Sequence, residues 1–563
     1  MEKIVGERNL QVQESIELSA STVEERAENE NDESYEFPEI DNISWYTLRI
    51  YVIISLPLLV SAGFTLSYAF TTGTISYRCF VPECEDLTDT IIYPSWLSSA
   101  VPYENDKPAS CTRFTVLNVT DSCSTTVFTE GIERCDSWVY DTDERTILNE
   151  VSLIDVLWDL TCDNNQWMLT LPGTVNNVGQ FVGLIFTGYF SDKYGRRNVL
   201  AFLSVACGIC GVIQAMSVNY AMFVTFEFLT AVFGAGIYSA GFILGMELVG
   251  PKSRVLISNV ICCMYSSGAA LLALSAMWLR NWRFVLVSFY APALLAIFVT
   301  CLVPESVRWL LGKGRVAEAE KVLYKIAAEK GIQVSPKSID VIKNLGEKKN
   351  ETKTKRSKLA VTTPVREVLK NRKLLTRLVV CAFCWIANVF VYYGLSLHSV
   401  AVSGDKFINF IFVSLVEIPA QLFSWILVEH VGRKPTLTGS FFLGGLFCIL
   451  TPFVPEDLWY VPLIVFLGGK FCITVAFCTL YVFTAEFFPT PVRHSLLGLC
   501  SMTARVGSMV APQMPLLANL MPSLPLLLFG GTSIIAGGLS LGFPETMGIE
   551  LPETVHAAVN IGT

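Results

Sequence analysis

Charged residues are scarce in this chain: Asp, Glu, Lys and Arg make up 16% of 563 residues, while 52% are hydrophobic. Soluble domains carry nearer a quarter, so a water-facing globule is excluded, and the net charge of -9 gives no reason to expect a nucleic-acid partner. Histidine is rarer still. The four present, at 398, 430, 494 and 556, adjoin no nucleophile–base pair, and no enzyme, metal site or resident cofactor is expected. No G-x-x-x-x-G-K-[ST] phosphate loop occurs, and LGGKFC at 467–472 lacks its spacing, which argues against an ATP-driven pump. A cleavable signal is not expected either. The first 45 residues hold 13 acidic and 3 basic side chains, without a basic start or a short apolar core, and read as a disordered cytoplasmic tail.

What the chain has instead is a series of long runs from which charge disappears. Clear examples are 50–70, 199–218, 255–278, 284–303, 436–453 and 524–543. The more polar runs 168–190, 221–245, 377–400, 407–428, 459–483 and 496–520 bring the number to twelve. Each is near the length, about 20 residues, that an α-helix needs to cross a hydrocarbon core. The expectation is an all-α polytopic membrane protein.

The basic knot FSDKYGRRNV (190–199) has a fainter copy in VEHVGRKPTL (428–437), with Gly195 and Arg196 matching Gly432 and Arg433 at an offset of 237. MELVGPKSR and AEFFPTPVR share a Glu followed seven residues later by an Arg, which pairs Glu247 with Glu486 and Arg254 with Arg493 at an offset of 239. Pro304-Glu305-Ser306 and Pro544-Glu545-Thr546 stand 240 apart. The echoes follow helices 2 and 8, 4 and 10, and 6 and 12, so the chain reads as two parallel six-helix units. The bundles are placed at 46–303 and 377–543, with cytoplasmic segments at 1–45, 304–376 and 544–563.

Orientation follows the Lys and Arg of the short loops. The knots, Lys252 and Arg254, Arg493, and the 304–376 segment with 18 basic against 8 acidic residues all fall on one side, taken as the cytoplasm. Arg280 and Arg283 violate the rule. GRVAEAEKVLYKIAAEKG (314–331) carries Val316, Ala319, Val322, Leu323, Ile326 and Ala327 at helical spacing and reads as a surface helix; its basic neighbourhood is a solvated face or a lipid or phosphate site.

The segment 71–167 falls outside and has 17 acidic and 5 basic residues. Its six cysteines, Cys79, Cys84, Cys111, Cys123, Cys135 and Cys162, read as a disulfide framework with the pairing open. No CxxC or Cys/His pair supports zinc in their place. Asn118-Val119-Thr120 is a glycosylation acceptor on the external side; the same pattern at Asn42 and Asn350 would lie in the cytoplasm and stay bare. The other eleven cysteines read as small apolar packers.

GYFSDKYGRR (188–197) resembles the G-x-x-x-D-[KR]-x-G-R-[KR] signature of the major facilitator superfamily, which implies twelve helices in two pseudo-symmetric bundles and transport by alternating access. Gly195 permits a tight turn, Asp192 can accept from a helix N-terminus, and Arg196, with Arg197 beside it, can reach a carboxylate such as Glu247. An ionic latch of that kind, with Arg254 nearby and Gly432, Arg433, Glu486 and Arg493 as the second copy, would gate the cytoplasmic side; static loop folding is the plainer alternative. PESVRWL (304–310), WDLTC (158–162), FILGMELVG (242–250), YYGLSL (392–397) and the 468–493 segment resemble the organic cation/carnitine family of solute carriers, with Val307 where Pro is usual.

Ionisable groups within membrane helices default to functional readings, and Glu227, Glu417, Lys470 and Arg505 stand out. Glu417 and Lys470 either bind substrate or pair with one another as structural glue. Arg505 has a planar, permanently charged fork suited to a carboxylate; by resemblance, the cation branch has an acidic residue there and the carnitine and anion branches an Arg. Trp385 and Tyr392, and Tyr238 and Phe242, match cavity aromatics of the cation carriers, although each taken alone reads as packing. Such rings hold quaternary ammonium groups by cation–π attraction. Gln421 stands where the anion carriers have Lys. Glu227 is not typical of the family; as a coupling-ion site it would bind H+, or Na+ with Asn177 or Gln180. The reading is a multi-pass plasma-membrane carrier for small carnitine-like zwitterions or organic cations, with an organic anion carrier as the alternative. A receptor built on the disulfide loop is the reading from another class.

Overall fold

The computed structural model describes residues 44–73, 75–85, 91–104, 107–116, 128–141, 143–150, 160–162, 165–249, 254–336, 338–339, 342, 368–455, 460–490, 492–549, 552 and 554–561. Asn42, Asn118, Asn350, Cys123 and Lys252 lie outside them.

Among the described residues there are twelve helical spans. They are α1 (Trp45–Thr71), α2 (Gln166–Tyr194), α3 (Arg196–Ala215), α4 (Tyr220–Glu247), α5 (Arg254–Leu279), α6 (Trp282–Leu302), α7 (Arg372–Ala401), α8 (Lys406–His430), α9 (Arg433–Phe453), α10 (Tyr460–Phe487), α11 (Arg493–Val510) and α12 (Leu524–Ser540). Among the described residues nine are long and apolar enough to cross a membrane on length and composition alone. The other three are the shorter α12 and the two that carry the most telling polar groups, α2 and α11. Because an α-helix satisfies its own backbone, it is one of the few forms a chain can take in lipid.

Described residues within 49–245, 256–305 and 355–563 form one compact unit, and those within 1–48, 246–255 and 306–354 a second. The second unit contains a short helix, Val307–Gly312, begun by Ser306, whose Oγ accepts from the Trp309 amide at 3.1 Å. A longer helix, Val316–Lys330, closes on Gly331 in the left-handed conformation and buries Ala319, Leu323, Ile326 and Ala327. That is the expected surface helix, begun two residues later.

In the larger unit the duplication appears as geometry. Gly195 and Gly432 have φ of 105° and 107°, and each begins the next helix, α3 and α9. An L side chain rarely adopts such a φ. The third sequence echo explains what completes these turns. Glu305 Oε1 accepts from the amides of Arg196 and Arg197 at 3.1 and 3.2 Å. Glu545 accepts from the amides of Arg433 and Lys434, both at 3.0 Å. A carboxylate carried on the segment after the sixth helix of each half therefore caps the third helix of that half. The N-terminal amides of α3, expected to meet Asp192, meet Glu305. Asp192 takes a 2.6 Å bond from Arg196 Nη1.

A further echo was not read from the sequence. Gly268 on α5 and Gly507 on α11 stand 239 apart, and a Cβ there would lie 1.9 Å from Leu59 O and 2.4 Å from Ile386 O respectively. The first and fifth helices of each half thus touch backbone to backbone, where only glycine fits.

Among its described residues, the segment between α1 and α2 builds three two-stranded antiparallel sheets: β1 (Tyr77–Cys79) with β6 (Trp138–Tyr140), β2 (Tyr103–Glu104) with β3 (Lys107–Pro108), and β4 (Thr112–Val116) with β5 (Phe128–Arg134). Disulfides join Cys79 to Cys135 and Cys111 to Cys162, and Cys84 is also disulfide-bonded. Arg78, 1% exposed, meets Glu85 through two bonds of 2.6 Å. Disulfides of this kind persist in an oxidising compartment. The eleven remaining cysteines are free thiols.

The loop also accounts for the charges that break the positive-inside pattern. Arg283 Nη2 lies 3.0 Å from Glu150 of the loop, and the same guanidinium donates to the carbonyls of Ala215 and Ser217 at the end of α3. The Arg280 carbonyl accepts from the Arg145 amide at 2.8 Å.

Candidate functional site

Pro419 follows Glu417 by two residues, and a proline inside a helix removes the bond to the carbonyl four residues back. Here α8 is interrupted at Val416, splitting into Lys406–Leu415 and Glu417–His430. The break sets the buried Glu417 at the start of the second segment. Its Oε1 lies 2.9 Å from Lys470 Nζ on α10, and its Oε2 accepts from Ser266 Oγ of the N-terminal half at 2.8 Å. Lys470, 0% exposed, also donates to Ser396 Oγ at 2.7 Å and to the Tyr392 carbonyl at 3.2 Å, and sits 3.3 Å from the centroid of the Tyr392 ring. A buried charge pair holds only when its remaining donors and lone pairs are satisfied, and these are. The glue between α8 and α10 is therefore real, while the second oxygen of Glu417 is held by Ser266 of the opposite half.

Aromatic rings fill the neighbourhood. Tyr392 stacks on Phe477 at 5.6 Å, and Phe477 meets Tyr481 edge-on at 5.3 Å. In the N-terminal half, Tyr238 stacks with Phe242 at 6.2 Å and meets Tyr265 edge-on at 5.6 Å. Trp385, also expected here, is 1% exposed; its Nε1 donates to Thr484 Oγ1 at 3.0 Å, and it packs against Tyr481 and Phe477 from behind.

Arg505 is half-buried on α11, in electrostatic reach of Tyr265 and Tyr481. Its Nη1 donates to Gln180 Oε1 on α2 at 3.0 Å, a contact between the halves. Gln180 Nε2 donates to Asn176 Oδ1 at 2.7 Å, and Asn176 Nδ2 to Glu227 Oε1 at 2.7 Å. The other carboxylate oxygen of Glu227 accepts from Gln214 Nε2. Asn177, the alternative partner for Glu227, donates to the Gly173 carbonyl within α2.

Contacts at the ends nearest the disulfide-bonded segment also join the halves. Thr170 Oγ1 meets Gln513 Oε1 at 2.9 Å, Gln513 Nε2 donates to Thr174 Oγ1 at 2.6 Å, and Lys406 Nζ lies 2.5 Å from Glu144. At the opposite end of α2, and near the start of α11, a Cβ on Gly188 or Gly498 would meet nothing within 4 Å, and Tyr189 is 62% exposed.

Of the expected latches, Arg433 grips Glu486 in a fork, Nε to Oε2 at 3.0 Å and Nη2 to Oε1 at 2.9 Å, and Thr546 Oγ1 adds a 2.7 Å bond. Arg493 Nε donates to the Phe488 carbonyl at 3.3 Å. Arg197 donates to Asn198 and to the Val303 carbonyl. Glu247 ends α4 and Arg254 begins α5.

Ser266, Gln180 and Asn176 were not singled out as substrate-site residues from the sequence. A polar position on the buried stripe of an otherwise apolar helix is the signal that reveals them.

The family described as sugar (and other) transporter matches residues 124–559. Mouse solute carrier family 22 member 21 is 32% identical over 531 residues, spanning 91% of each chain. Human organic cation/carnitine transporter 2 is 30% identical over 530 residues, again 91% of each, and the Drosophila melanogaster organic cation transporter protein 30% over 521, 92% of each. Among solved structures, the inward open xylose transporter XylE from E. coli superposes with a TM-score of 0.60 at 16% identity, over 90% of this chain and 98% of that one.

Proposed function

Since this chain belongs to the sugar (and other) transporter family, as a multi-pass membrane transporter of the organic cation/carnitine group, we propose that it carries carnitine-like zwitterions or organic cations across the plasma membrane. The observation that carries this reading is a single half-buried guanidinium, Arg505, at the seam between the halves, together with tyrosine rings and the edge of Glu417. A carboxylate on the solute meets the Arg505 fork, charge-assisted and bidentate. An ammonium group lies over the rings, with Glu417 as counter-charge. Lys470 acts by holding Glu417 and the Tyr392 ring in place. Rocking of the two halves breaks the external contacts around Gln513 and exposes the chamber on the other side. The fork between Arg433 and Glu486 gates the C-terminal half, and Arg196 with Asp192 stands at the matching turn of the N-terminal half.

Uptake of labelled carnitine, tetraethylammonium and para-aminohippurate tests the reading. With Arg505→Ala, carnitine and para-aminohippurate uptake fall by roughly ten- to a hundredfold, the worth of a charged hydrogen-bond pair, while tetraethylammonium uptake changes less. Equal loss across the panel assigns Arg505 a structural role. Preference for para-aminohippurate in the unmodified protein selects the anion reading.

A further inference from the structure

Glu227 has no part in the site as described so far, yet it is the end of a continuous chain of hydrogen bonds that begins there. Resting on the transport reading above, we propose that Glu227 is a proton-binding carboxylate that controls, through Asn176 and Gln180, how firmly Arg505 is held away from the substrate.

The direction of the chain is forced. A guanidinium can only donate, so Gln180 must turn its oxygen to Arg505 and its nitrogen to Asn176. Asn176 must then turn its own nitrogen to Glu227. Every donor points from the cation on α11 toward the carboxylate on α4, and the ionised form is the one this order fits. An oriented amide chain in a low-dielectric interior polarises along its length and strengthens each bond. The ionised Glu227 therefore draws Arg505 onto Gln180.

Nothing else balances the charge. Glu227 is 0% exposed, and among the described residues no Lys, Arg or His pairs with it. The titratable groups facing it are Tyr68 of α1, Cys207 of α3 and Tyr290 of α6, none of them cationic; Thr230 lies one turn along α4 itself. A charge at membrane depth with only amide partners is costly, and a proton removes that cost. The proton has a place to go. Gln214 donates to the second oxygen of Glu227, while its own Oε1 is buried without a partner. Turning that amide over presents an acceptor to a new Glu227 O–H. Taking one proton from water converts the carboxylate to the acid, ends the pull along the chain, and frees the guanidinium for the solute's carboxylate. Sodium fits poorly, because both Glu227 oxygens already face N–H donors.

By linkage, protonation and binding of a carboxylate-bearing solute favour one another. In uptake assays the unmodified protein should gain apparent affinity for carnitine as pH falls, by up to about tenfold per pH unit, the limit for one linked proton. Tetraethylammonium, which has no carboxylate, should not follow. Glu227→Gln should be flat with pH, and its retention of the wild-type slope overturns the proposal. Infrared difference spectra of the purified full-length protein give a readout that needs no substrate. Acidification should raise a carboxylic C=O band that Glu227→Gln lacks. Gln180→Leu, which cuts the chain but keeps the carboxylate, should move its midpoint upward by roughly one pH unit as Arg505 ceases to support the ionised form. Absence of the band, or an unmoved midpoint, overturns the proposal, as does sodium-dependent uptake that Glu227→Gln abolishes. If neither solute is transported, the transport reading fails and the infrared arm still decides the role of Glu227.

Discussion

A single carboxylate at Glu545 shows how much one residue organises. Burial alone would push its carboxyl up, but backbone amides of Met547, Arg433, Lys434 and Thr546 donate to it and hold it below the usual carboxylate range. A group depressed on folding contributes stability that is complete above its unfolded value and is lost as pH falls through the folded one. Thermal unfolding of the solubilised protein should therefore lose stability at acid pH, and Glu545→Ala should remove that contribution while costing about 1 kcal/mol at neutral pH, as the loss of a helix cap does. Melting curves across the acid range check both. The sequence displayed this residue as an echo of Glu305, but not its task, because the amides it caps lie more than a hundred residues away.

Among the elements, the start of α9 is the least tolerant. Gly432 has a φ of 107°, and a Cβ there would lie 2.9 Å from Glu545 Oε2. Gly432→Ala thus meets backbone strain of about 1–3 kcal/mol as well as displacement of the cap. Its expected outcome is a marked fall in the folded, surface-expressed fraction, measured by size-exclusion profile; a normal profile would mean the turn relaxes. The twelve spans were legible because each is near the length that crosses lipid. Helix α2 and helix α11 were legible too, although their polar residues dilute the apolar signal. The interruption of α8 was written in Pro419, yet its consequence, Glu417 presented to Ser266, was not.

At the scale of the whole molecule, the bond between Thr170 and Gln513 ties one half to the other. Cysteines introduced as Thr170→Cys and Gln513→Cys bring together two positions whose side chains now touch. Oxidation should lock the halves and abolish substrate uptake, with recovery on reduction; uptake that survives complete cross-linking, read by mass shift after cleavage between the halves, would show that this seam does not open. Repetition, helix count, disulfide loop and the ionisable positions were all determined by the sequence itself, since hydropathy period, motif spacing and charge are properties of neighbours along the chain. Which of those ions meet was decided only by the tertiary structure. Arg505 and Gln180 are 325 residues apart, and Lys470 and Glu417 belong to different helices. A helix fixes the direction of a side chain around its own axis, but the partner it finds depends on how two helices are rotated against one another, and that rotation is set by packing across the fold.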